Sequence, residues 1–418
     1  MKSYVLVGAS AAVVTWLATF LVRRLAIRAK LIVAPTERGV HEKPLPTAGG
    51  AAMFMGFLFA MGLASQLPRF RPVFEGSSEP LGVMLAAASM FFVGLMDDKR
   101  EFSAPAKLAG QVLAGTILYF LGVTMFFFRV PFADFVVVSP DLAPLATVIW
   151  VIVIANAINL IDGLDGLAAG IVAIAAAAFF VYSDRLAANG LLSPDNVGPL
   201  VAVIAVGVCI GFLPHNFHPA RIIMGDAGAL FLGLLLASST LVVGGRTADQ
   251  FSGQTFFFFA PIVIPFFILG VPIVDSAFAV IRRALRRTSV SVADREHMHH
   301  RLMRLGHGQR RSVLILWAWT AILSGFVLFP TFSEGGNHLI PLGSAALGVA
   351  LYTLFHPGIR QPSPESALVA ATEVRGAGLT LMAPDPPVQT VAEQSMAGAE
   401  ETPDDPGDGG SPWRAASS

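Results

Sequence analysis

The sequence predicts an all-α polytopic integral membrane protein with about eleven transmembrane helices, and three observations carry that expectation. The chain is 54% hydrophobic and only 13% charged, with a mean hydropathy of +0.67, well beyond ordinary soluble chains. Apolar runs of about 17 to 25 residues recur along it, long enough to cross a roughly 30 Å hydrocarbon core as helices. With those runs placed, 22 of the 28 Lys and Arg fall on alternate loops or, for one lysine, at the adjoining edge of a span, on one side of a membrane.

Taken in order, the spans lie near 3–22, 47–67, 80–96, 105–122, 143–160, 166–183, 197–213, 227–244, 256–277, 312–330 and 339–356. The first run is nearly of spanning length and is followed by Arg23, Arg24, Arg28 and Lys30. It therefore reads as a span and not as a signal peptide. Basic residues are retained in the cytoplasm during insertion, so the side rich in them is cytoplasmic, the N-terminus outside and the tail inside. Residues 1–356 form the membrane-embedded domain. Residues 357–418, rich in Pro, Gly, Ser, Asp and Glu without apolar periodicity, read as a disordered cytoplasmic tail. The single cysteine, Cys209, sits in an apolar span and excludes a disulfide framework or a Cys-based metal site. The net charge of zero says little about partners, and no nucleic acid is expected.

Five polar motifs interrupt the apolar chain, and the span map puts all five on the basic side. They are His41-Glu42-Lys43 ahead of Gly49-Gly50, Asp97-Asp98, Asn156 to Gly166, His215 to Gly228, and His297 to Arg301. Scattered polar residues would fall on both sides at random. Asp97 and Asp98 close the third span, where acidic residues facing water are unremarkable. A helix C-terminus is nevertheless poor ground for two carboxylates, because the macrodipole is negative there, and a bound cation would relieve the repulsion. Asn156 and Asn159 lie three apart on a helix ending in the membrane, where an amide needs partners. Asp162 and Asp165 follow in a Gly-punctuated turn, and N-capping of the next helix would account for Asp165 alone.

Asp226 begins the eighth span, where a helix N-terminus stabilises a carboxylate. It is also the kind of single hard oxygen ligand that holds Mg²⁺ beside phosphate oxygens. The histidines of His297-Met298-His299-His300-Arg301 lack the companions of a four-ligand zinc site. With Arg301 they make a better phosphate clamp through charge-assisted hydrogen bonds.

Together the motifs resemble the polyprenyl-phosphate N-acetylhexosamine-1-phosphate transferase family over roughly residues 1–355. The Asp-Asp pair, Asn159-Leu-Ile-Asp162-Gly-Leu-Asp165-Gly166, Met224-Gly225-Asp226 and His297-Met-His-His-Arg301 stand in family order and spacing, and Pro272-Ile-Val-Asp275 also fits. The His-x-His-His-Arg form and the His218-Pro219 ahead of Met-Gly-Asp resemble the UDP-GlcNAc branch more than the peptidoglycan branch, which remains the alternative. Ile223 stands where the family commonly has an aromatic for nucleobase contact, and Ala229 where Ser is usual.

The resemblance implies transfer of a sugar-1-phosphate from a UDP-N-acetylhexosamine to undecaprenyl or another polyprenyl phosphate, with UMP released at the cytoplasmic face of a bacterial inner membrane. It implies Mg²⁺, or Mn²⁺ in its place, on Asp226 with Asp162 and with help from the Asp97-Asp98 pair. Catalytic roles fall to Asp97, Asp98, Asp162, Asp165, His297, His299, His300 and Arg301. Substrate contacts fall to His41, Lys43, Asn156, Asn159, Asn216 and His218. A homodimer is plausible by the same resemblance. Asp97 is expected to position and not to act as a base, because a phosphate monoester is already largely dianionic at neutral pH. A transporter would instead place its carboxylates near the bilayer midplane, with repeat symmetry between halves, and neither is visible in the sequence.

Overall fold

The computed structural model describes residues 1–33, 44–100, 102–129, 135–244, 308–328 and 339–355. Within them the chain is helical: α1 (Lys2–Arg28), α2 (Gly49–Gln66), a short α3 (Arg71–Gly76), α4 (Glu79–Arg100), α5 (Ala104–Phe120), α6 (Ala143–Ile161), α7 (Leu167–Ala188), α8 (Gly198–Asn216), α9 (Gly225–Gly244), α10 (Gln309–Leu328) and α11 (Leu339–Phe355). Two small antiparallel pairs accompany the helices, β1 (Ile32–Val33) with β2 (Leu45–Pro46) and β3 (Phe127–Arg129) with β4 (Phe135–Val137).

Seven helices, α1, α2, α4, α6, α7, α8 and α9, are long and apolar enough to cross a membrane. The protein is an integral membrane protein. α5, α10 and α11 coincide with the expected spans near 105–122, 312–330 and 339–356, whereas the expected span at 256–277 lies outside the described residues, as does the tail from 357. Two helices run further than their apolar stretches. α4 continues through Asp97 and Asp98 to Arg100, and α8 continues to Asn216, so their polar residues stand on ordered last turns.

α9 is apolar all round and almost wholly buried, which makes it the central helix. It packs on α2, α4, α6, α7 and α8. Small residues let the backbones meet, as is usual between membrane helices. A Cβ added at Gly94 of α4 would lie 2.4 Å from Ala227 Cα, and one at Gly50 of α2 would lie 2.4 Å from the Gly228 nitrogen. The first turn of α9 is thereby pressed between α2 and the last turn of α4.

The segment ahead of α2 is fixed to the segment ahead of α9 by backbone hydrogen bonds. Ile223 N–H donates to the Pro46 carbonyl at 3.1 Å, Gly49 N–H to the Ile223 carbonyl at 3.0 Å, and Gly50 N–H to the Met224 carbonyl at 2.9 Å. Two stretches far apart in sequence thus enter the same corner of the molecule.

Candidate active site

Four helix ends and three connecting segments converge on a cavity of about 210 Å³. Asp98, Asp162, Asp165 and Asp226 line it, with Thr47 and Asn216 beside them. Three of the five expected motifs therefore meet in one place, and Thr47 brings the residues just before Gly49-Gly50 to the same wall. His41, Lys43, His297, His299, His300 and Arg301 lie outside the described residues.

The adjacent Asp97 and Asp98 carboxylates find separate partners. Asp98 accepts from the backbone N–H of Asp226 at 2.9 Å and of Ala227 at 3.3 Å, so it caps α9 and sits in the positive field of that helix start. Asp97 accepts from Phe102 N–H at 2.7 Å and forms an ion pair with Lys107. Lys107 also reaches Asp226, Nζ to Oδ2, at 2.7 Å. The repulsion expected at the end of α4 is relieved by a helix N-terminus on one side and a lysine on the other. Gly225 (φ +68°) makes the turn into α9, and any Cβ there would lie 2.5 Å from Asp98 Oδ2. Glycine is required both by the left-handed backbone and by the approach of the carboxylate.

Lys107 was not singled out in the sequence because it lies inside the apolar run near 105–122. An ionisable residue in a membrane segment is a functional signal by itself, and that signal was available. Thr47 was missed as well. It is 5% exposed, lines the cavity, and its Oγ1 has no hydrogen-bond partner.

Asp165 does not cap α7. The N-cap is Gly166 at φ +77°, without a side-chain cap, and Asp165 Oδ2 instead accepts from His218 Nδ1 at 2.8 Å and from Ala220 N–H at 3.0 Å. Asn216 spans the same gap, accepting from Gly166 N–H and donating to the Ile222 carbonyl, each at 3.0 Å. Asp165, Asn216 and His218 thus bind the turn between α6 and α7 to the loop between α8 and α9. Arg310, at the start of α10, donates to the His218 carbonyl at 2.9 Å and steadies that loop from outside.

The two asparagines of α6 are not among the cavity walls. Asn156 Nδ2 donates to Gln111 Oε1 at 2.7 Å, and Gln111 Nε2 donates back to Asn156 Oδ1 at 3.3 Å. This reciprocal amide pair joins α6 to α5 one turn beyond Lys107, and it supplies the partner that an amide there requires. Asn159 is half-buried and also lies away from the walls. Of the two unusual positions, Ile223 lines the cavity, while Ala229 is fully buried within α9 and does not reach it.

Asp162 ends α6 as its C-cap and projects into this acidic surrounding. Burial, reinforced by the Asp226, Asp98 and Asp165 carboxylates, pushes its carboxyl up to about 8. Among the described residues no three His, Cys, Asp or Glu side chains form a closed metal cage. The donor set still fits Mg²⁺, which takes one or two carboxylates and completes its octahedron with water and substrate phosphates.

The family-model match falls on this framework: the model described as glycosyl transferase family 4 covers residues 80–244, from α4 through α9. A decaprenyl-phosphate N-acetylglucosaminephosphotransferase of Mycolicibacterium smegmatis is 35% identical over 375 residues, 88% of this chain and 91% of that protein. The chain belongs to glycosyl transferase family 4. A Mycobacterium leprae protein of the same name is 37% identical over 361 residues, 84% of this chain and 89% of its own length. A phospho-N-acetylmuramoyl-pentapeptide-transferase of Desulforudis audaxviator is 33% identical over 313 residues, 69% of this chain and 84% of its own. This family 4 chain is thus similar to both kinds of transferase, and over more of its length to the first.

Proposed function

We propose that the chain transfers N-acetylglucosamine-1-phosphate from UDP-GlcNAc to a polyprenyl phosphate, releasing UMP on the cytoplasmic side of a bacterial inner membrane. The observation that carries this reading is the acidic cavity, with Lys107 at its edge, set at the membrane-exit ends of α4, α6 and α8 and the start of α9. The greater span shared with the GlcNAc phosphotransferases favours that donor over the peptide-bearing one.

In the proposed reaction a phosphate oxygen of the lipid attacks the β-phosphorus of UDP-GlcNAc. The bond from that phosphorus to the bridging oxygen of the α-phosphate breaks, and UMP leaves with the electron pair. Bound Mg²⁺ would offset charge on the diphosphate, and Asp226 and Asp162, which line the cavity, would hold it. Lys107 adds a positive charge next to Asp226, where it would offset charge on the same phosphates. Asp98 holds the first turn of α9 so that Asp226 is correctly presented. Asp97 is already engaged by Lys107 and Phe102 N–H, which supports a positioning role over a proton-accepting one.

The deciding experiment measures UMP release by the purified full chain with undecaprenyl phosphate, comparing UDP-GlcNAc with UDP-MurNAc-pentapeptide in Mg²⁺ or EDTA. Turnover of UDP-GlcNAc that needs Mg²⁺ and is lost in Asp226→Asn is the expected result. Turnover of the peptide-bearing donor alone would move the chain to the peptidoglycan reaction.

A further inference from the structure

A cationic corner at the end of α1 lies outside the cavity and takes no part in the reaction above. Trp16, Phe20 and Arg23 follow at helical spacing on one face of α1, and both rings are 41% exposed. Phe20 meets the His215 imidazole edge-on with ring centroids 4.5 Å apart, and Trp16 lies 6.4 Å from it. Arg23 donates through Nε to the Arg221 carbonyl at 3.1 Å, and Arg221 N–H donates to the His215 carbonyl at 2.8 Å.

That lock occupies one of the five guanidinium donors of Arg23. Both arginines are exposed, and among the described residues neither has a carboxylate partner. His215 is 3% exposed, and its Nε2 has no hydrogen-bond partner. Two like charges are therefore held on one corner, beside a buried imidazole, where a membrane helix leaves the bilayer. Trp and Arg are the side chains that settle at that depth, where anionic headgroups supply the opposite charge.

We propose that Arg23 and Arg221, with His215 behind Trp16 and Phe20, form a binding site for the phosphodiester headgroup of an anionic phospholipid. The guanidiniums take the phosphate oxygens by charge-assisted hydrogen bonds, and the exposed rings face an acyl chain. A bilayer lipid suits the corner better than the lipid substrate, because neither arginine lines the cavity where the substrate phosphate must react. The bound lipid braces Arg221, two residues ahead of the cavity-lining Ile223.

The test is native mass spectrometry of the full chain, titrated separately with phosphatidylglycerol, phosphatidylcholine, farnesyl phosphate and inorganic phosphate. Wild-type protein is expected to retain phosphatidylglycerol selectively. Arg23→Gln/Arg221→Gln should weaken that retention about thirtyfold, whereas Arg24→Gln/Arg28→Gln, with the same total charge lost but both from α1, should leave it within about threefold. Equal retention of phosphatidylcholine by the wild type would overturn the proposal without recourse to any variant. So would preferential retention of farnesyl phosphate or inorganic phosphate, or equal loss in the two double variants. An unchanged melting temperature in lipid-free detergent confirms that the first double variant is folded.

Discussion

Lys107 is the side chain on which the charge balance of the site turns. It is the only cation among the described residues that touches two of the site carboxylates, Asp97 and Asp226. Lys107→Gln is expected to lower kcat about a hundredfold, as loss of one preorganised donor to a reacting oxyanion does. The same variant should bind Mg²⁺ more tightly, because the side chain competing for Asp226 is gone; equal losses in turnover and Mg²⁺ affinity would make Lys107 merely structural. Asp162 carries the pH dependence. Its carboxyl is raised from 3.8 to about 8, so without metal it stays protonated at neutral pH, and its contribution to stability declines as pH rises through that interval. Cation binding needs the carboxylate, so Mg²⁺ affinity should rise with pH until about 8 and then level, with proton release. Calorimetry in two buffers of different ionisation enthalpy reads that release, and Asp162→Asn should remove the part of it seen above pH 7, where Asp98, raised only to about 6, is already ionised. The aspartates of this site were legible in the sequence because five of them on one face of an apolar chain have few structural explanations. Lys107 and Thr47 were not: one was read as part of a span, and the other becomes a cavity wall only through backbone pairing with Ile223.

Individual helices were legible for the plain reason that an apolar stretch of spanning length has little else to do in water. Their ends were not, because a helix continues past its apolar face when the next turn finds partners. α4 gains its extra turn from the α9 start and Lys107, and α8 gains Asn216 from its two backbone bonds. The closeness of α2, α4 and α9 was equally hidden, since a glycine in a membrane span announces no particular neighbour. It is testable. Gly94→Ala places a Cβ 2.4 Å from Ala227 Cα, in backbone that cannot yield without moving Asp226, whereas Gly62 of α2 has nothing within 4 Å. Overpacking of this kind costs about 1 to 3 kcal/mol. Gly94→Ala should therefore lower the melting temperature and UMP release together. Gly62→Ala should be neutral or slightly stabilising, since alanine is favoured over glycine in a helix by about 1 kcal/mol. A Gly94→Ala protein as stable and active as Gly62→Ala would mean that the α4–α9 contact is looser than described.

At the scale of the whole molecule, the reading depends on which side of the membrane the cavity faces, and the chain offers a clean way to determine it. Its single cysteine, Cys209, is fully buried in α8, so an introduced cysteine can be labelled against little background. Lys99, exposed on the last turn of α4, marks the cavity face, and Asn189, exposed at the end of α7, marks the other. The excess of Lys and Arg on the cavity side predicts that a membrane-impermeant maleimide labels Asn189→Cys on intact spheroplasts and Lys99→Cys only after permeabilisation. The reverse pattern would put the acidic cavity outside the cell, away from cytoplasmic nucleotide sugars, and the proposed donor would have to be abandoned. Labelling of both positions from outside would instead break the alternation of spans between α4 and α7. The cavity is built from the ends of both α4 and α6, so that result would contradict the fold as well as the function.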